Sequence, residues 1–114
     1  MGVVYYANYL TWFEVARTDL LRELGRSYRE VEAQDVFLPV VEAHCYYKNP
    51  ARYDDVIVIH TEASQPTRAT VRFDYRCERD DDGTVLATGS TSHVAVNGKG
   101  RPIRLPPTLK DLLS

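Results

Sequence analysis

The sequence has little of what marks several protein classes. Only two cysteines, Cys45 and Cys77, occur in 114 residues. They are too few for a disulfide framework and lack metal-ligand spacing, so a reducing cytoplasm is the default compartment. No apolar run approaches the roughly 18–20 residues of a membrane span. The first residues lack the basic start and apolar centre of a signal peptide. A net charge of −2 gives no general attraction to nucleic acid or to an anionic membrane. There is no internal repeat and no low-complexity tract. His44, His60 and His93 fall on different predicted strands without metal spacing, which excludes a linear metal motif. Ser90, Thr91 and Ser92 lie near His93, but no nucleophile elbow surrounds them, so they read as strand hydroxyls.

What is present fits one domain large enough for a single core. A hydrophobic content of 44% and a charged content of 26% are those of an ordinary globular chain. The eight tyrosines are many for this length and cluster early. Residues Tyr9 to Leu24 predict a long helix. Leu10, Phe13, Arg17, Leu20, Leu21 and Leu24 recur at helical spacing, and Tyr9, Trp12 and Ala16 widen the stripe. Asn8 suits the N-cap and Gly25 the stop. Glu14 and Arg17, one turn apart, are expected to pair. The polar strip is narrow, so other structure should wrap this helix. Ser27 and Glu30 fit a capping box for a short second helix to about Ala33.

Four strands are expected next: Phe37–Lys48, Asp55–Ser64, Arg68–Arg79 and Thr84–Asn97. The third alternates cleanly, with Ala69, Val71, Phe73, Tyr75 and Cys77 on one face. Asn49–Asp54 and Asp80–Gly83 read as turns, and Gln65-Pro66-Thr67 as a break. Pro106-Pro107 introduces a last short helix, Thr108–Leu113. Helices followed by an antiparallel meander define an α+β fold, a helix wrapped by a curved sheet.

The stretches GVVYYANYLTWFEVARTDLL, VEAHCYYKNPARYDDVIVIHTE and GRPIRLPP together resemble the hotdog-fold acyl-CoA thioesterases, in the 4-hydroxybenzoyl-CoA thioesterase and YbgC-like group. The likeness runs over nearly the whole chain and is most specific at Gly2–Arg17, then at YKNPARYDD. It implies a single hotdog domain over residues 1–114, self-association to a dimer or tetramer, and hydrolysis of a small acyl-CoA or aryl-CoA thioester. No metal and no cofactor is implied beyond the coenzyme A of the substrate. The family carries a first strand and a catalytic aspartate in a D-x-x-G-V-V-Y loop. That aspartate would lie two residues upstream of Met1, so the expectation is an N-terminally truncated domain. A non-catalytic acyl-CoA-binding or assembly module is the alternative. A dehydratase would need an aspartate–histidine pair that the sequence does not display.

The resemblance also implies residue roles. Tyr6 takes the position whose backbone N–H polarises the thioester carbonyl, where many YbgC-like members have histidine. Tyr5 is its neighbour on the substrate side, or an interface aromatic. Glu14 is the alternative carboxylate, because another hotdog branch uses one on the central helix. Lys48, Arg52, Arg76 and Arg101, with Lys99 and Arg104, are candidates for the coenzyme A phosphates. Any one of them can equally be a solvated surface charge.

Overall fold

The structure is a computed structural model that describes residues 8–23 and 32–106. Helix α1 (Asn8–Glu23) precedes four strands, β1 (Val40–Tyr47), β2 (Ile57–Thr67), β3 (Thr70–Arg79) and β4 (Val85–Val94). All pair antiparallel, in the order β1-β4-β3-β2. The predicted second helix falls mostly outside the described residues. Its end, residues 32–33, is helical. Residues 108–113 also lie outside them.

Pleating sorts the side chains by face. Cross-strand register sets Ile59, Cys77, Ala87 and Tyr47 in one inner row, then Thr61, Tyr75, Gly89 and Cys45 in the next. The third inner row is Ala63, Phe73, Thr91 and Ala43. On β3 the buried residues are Val71, Phe73, Tyr75 and Cys77, as the alternation predicted. Phe13, fully buried, lies flat on Tyr75 with ring centroids 4.3 Å apart and planes at 6°. Its ring edge sits over Gly89, where an added Cβ would lie 2.5 Å from both Phe13 and the His44 carbonyl. The missing side chain therefore sets how closely helix and sheet approach.

Three expectations shift. β2 does not break at Gln65-Pro66-Thr67 but runs through it, with a register shift between Ser64 and Thr67. Proline is tolerated there because β2 is an edge strand and the shift interrupts the ladder. β1 starts at Val40 rather than Phe37, which makes only an isolated bridge to Val96. Glu14 and Arg17 form no ion pair among the described residues, where the pair on α1 is Arg22–Asp19 at 3.6 Å. Glu14 is exposed, whereas Arg17 is half-buried.

Candidate active site

Helix α1 begins at Asn8, and the first N–H groups of a helix have no partner within it. They carry the positive end of the helix dipole and suit a developing oxyanion. Tyr5 and Tyr6, which the resemblance places here, lie outside the described residues. The first turn is anchored by Tyr9, buried on the sheet side. Its ring meets Trp12 edge-on at 4.9 Å and Tyr47, the last residue of β1, at 5.5 Å. Its hydroxyl is buried without a hydrogen-bond partner among the described residues. Burial, then the neighbouring Cys77 and Cys45 sulfurs, push the Tyr9 phenol upward.

The Tyr9–Tyr47 contact brings the start of α1 beside the turn that follows β1. That turn is built by Asp55. Its carboxylate accepts the Arg52 backbone N–H at 2.8 Å and pairs with Arg79 at 3.3 Å. The Arg52 amide, then Arg79, hold the Asp55 carboxyl below its ordinary range. Arg79 also donates to the Pro50 carbonyl at 3.1 Å and to Asp82 at 3.0 Å. Asn49 closes the turn by donating to the Val85 carbonyl at 2.8 Å. Asp54, at φ 71°, takes the left-handed conformation that aspartate tolerates better than most side chains. The YKNPARYDD stretch is thus a braced loop that holds Lys48 and Arg52 exposed. Neither forms an ion pair among the described residues.

The other candidates are elsewhere. Arg76 lies on the outer face of the sheet, bound to Glu78 at 2.7 Å. Glu78 also meets His60 at 3.2 Å, and His60 and then Arg76 lower its carboxyl. Arg101 is exposed in the segment after β4, where its backbone N–H donates to Asn97. Glu14 faces solvent, and its backbone carbonyl accepts the Thr18 hydroxyl. Among the described residues no three His, Cys, Asp or Glu side chains converge as a metal site, and no helix is long and apolar enough to cross a membrane. The structure brings together α1 and the Lys48–Arg52 turn. It leaves Arg76 and Arg101 apart. Asp55 and Arg79, which build the turn, carry no local signal beyond the doubled aspartate of YDD.

A helix seated on a curved antiparallel sheet, with a basic turn beside the helix start, is the architecture of a hotdog domain. The profile of the thioesterase-like superfamily matches residues 1–113, and the chain belongs to that family. It is 35% identical over 112 residues to the acyl-CoA thioesterase YbgC of Haemophilus influenzae, covering 96% of this chain and 80% of the relative. Protein TT1821 from Thermus thermophilus superposes with a TM-score of 0.91 at 37% identity, over 99% of this chain and 85% of that one. The DHNA-CoA thioesterase from Staphylococcus aureus gives 0.84 at 35% identity, over 92% and 70%. The expected α+β hotdog fold and the expected family are both borne out.

Proposed function

We propose that this protein hydrolyses small acyl-CoA or aryl-CoA thioesters to the free acid and coenzyme A. Water is the only co-reactant, and no cofactor is needed beyond the coenzyme A of the substrate. The observation that carries this reading is the meeting of the α1 start with the Lys48–Arg52 turn through Tyr9 and Tyr47. One element offers N–H groups to a thioester carbonyl, and the other offers exposed cations to phosphates. Family membership and relatives named as acyl-CoA and DHNA-CoA thioesterases support the same reading. Arg76 is left out because Glu78 already neutralises it. The free Cys45 and Cys77, on β1 and β3 with β4 between them, suit a reducing cytoplasm.

The test compares two thioesters of the same acid, one of coenzyme A and one of N-acetylcysteamine, which lacks the phosphates. Thiol release is followed in the wild-type chain and in Lys48→Ala/Arg52→Ala. The variant should raise KM about tenfold for the coenzyme A ester, since a hydrogen bond to a charged group is worth roughly 1.5–3 kcal/mol. The phosphate-free ester should be unaffected. Equal losses on both would remove the turn from phosphate recognition. Tight binding of coenzyme A esters with no hydrolysis by any form of the chain would favour the non-catalytic module.

Self-association belongs to the same proposal. Among the described residues β1 is an edge strand, and all of its eight residues but the half-buried Cys45 are exposed. Val40, Val41, Tyr46 and Tyr47 are 45–62% exposed on it. An exposed apolar edge strand of this kind is normally covered. Light scattering at micromolar concentration should give a dimer or larger. A stable monomer would overturn this part.

A further inference from the structure

Tyr53 is the most exposed large hydrophobic side chain among the described residues, at 81%. Its backbone is nevertheless held in place. The Asp55 N–H donates to the Arg52 carbonyl at 3.0 Å, and the Asp55 carboxylate accepts the Arg52 N–H at 2.8 Å. These two bonds close a four-residue turn with Tyr53 and Asp54 at its corner. Asp54, third in the turn, has φ 71°, the left-handed backbone that one common turn class needs there. Below the turn, Asp55 is paired with Arg79 at 3.3 Å, and Ala51 is buried in the core. The Lys48 and Asn49 N–H groups both donate to the Leu86 carbonyl, which ties the start of the loop to β4.

A single exposed apolar residue needs no explanation. This one has cations beside it on the same braced loop. Arg52 precedes it and Lys48 opens the loop, and both are exposed. Two of the nearby acids, Asp55 and Asp82, are engaged by Arg79 and do not compete for them. A flat aromatic face flanked by exposed cations suits the nucleotide end of a ligand. The base stacks on the ring, and the phosphates take the cations. Because the turn is already fixed, little backbone freedom is lost on binding.

We propose that Tyr53 is the platform for the adenine of the coenzyme A thioester, a specificity-determining residue that favours coenzyme A esters over thioesters without the nucleotide. The inference rests on the hydrolase reading above and adds a place for the base. The order of groups along the loop fits the order of groups in the ligand. Tyr47 meets Tyr9 in the first turn of α1, where the thioester carbonyl belongs. Lys48 and Arg52 follow, and Tyr53 comes last. Coenzyme A runs the same way, from the thioester through its phosphates to the adenine. The face of the ring is the working surface, so phenylalanine can replace it and alanine cannot.

Two thioesters of one acid separate the parts of the ligand. One is the coenzyme A ester, and the other is the 4′-phosphopantetheine ester, which keeps a phosphate and lacks the adenosine. Tyr53→Ala should raise KM for the coenzyme A ester about tenfold at unchanged kcat, through loss of base–aromatic stacking. Its KM for the phosphopantetheine ester should match that of the parent, and Tyr53→Phe should match the parent on both. Titration calorimetry with adenosine 3′,5′-bisphosphate repeats the test without hydrolysis, and Tyr53→Ala should bind about tenfold more weakly than the parent. Tyr53→Leu, apolar but without a flat ring, replaces the alanine variant if that one melts early. An unchanged KM in Tyr53→Ala, an equal rise on both esters, or an equal loss in Tyr53→Phe would overturn the proposal. So would a parent chain that does not bind the bisphosphate. Binding of the bisphosphate that depends on Tyr53, in a chain that hydrolyses neither ester, would sink the hydrolase reading and leave the base site standing.

Discussion

Gly89→Ala should destabilise the protein by about 3 kcal/mol, lowering its melting point by something on the order of 10 °C. One methyl group seldom does so much. Here it would enter a gap closed on two sides, 2.5 Å from the Phe13 ring and 2.5 Å from the His44 carbonyl oxygen. The ring could move only by giving up its stack on Tyr75. The carbonyl belongs to β1 backbone, one residue from Cys45, the register partner of Gly89. Shrinking the ring in Gly89→Ala/Phe13→Leu should therefore recover only part of the loss. Urea unfolding of the parent and the two variants measures this. A Gly89→Ala chain within about 0.5 kcal/mol of the parent would show that helix and sheet separate easily.

Tyr6→Pro should cost roughly 10²–10³-fold in kcat, and Tyr6→Ala much less. Proline removes the backbone N–H that the family resemblance assigns to the oxyanion, and alanine keeps it. Equal losses would make the ring the working group. Thiol release from a coenzyme A ester measures both variants. Among the described residues β2 is the edge of the sheet that meets α1. A groove of about 340 Å³ lies along it, lined by Val15, Ala16, Asp19, Leu20, Ile57 and Ile59.

How far the sequence carried depended on the range of the interaction. Period-two alternation on β3 put Val71, Phe73, Tyr75 and Cys77 inward, and burial agrees. The α1 stripe was partly legible: Tyr9, Phe13 and Leu21 are buried as helical spacing predicted, but Leu10 is exposed, and Leu24 and the expected stop at Gly25 lie outside the described residues. Pro66 misled because a proline reads as a break until the strand is known to be an edge. The Glu14–Arg17 pair failed because spacing along a helix does not tell which way a residue faces. A buried chain of hydrogen bonds joins Tyr75 to Thr91, Thr91 to His93 and His93 to the Leu38 carbonyl. It links residues up to 55 apart, so register was needed to see it. The acid–base partner and the oxyanion donor entered through family likeness alone. The Asp55–Arg79 brace, spanning 24 residues, escaped for the same reason as the buried chain.

The contact between Tyr9 and Trp12 makes the molecule its own optical probe. Trp12 is the only tryptophan in the chain, half-buried against the core with Tyr9 edge-on to it. Its emission comes from a single known place, the first turns of α1, and needs no label. If the helix lifts from the sheet the indole meets water and its emission moves to the red. If only the far loops rearrange, the colour holds. Separation of the helix can thus be timed by stopped flow as urea is raised, apart from the unfolding of the strands.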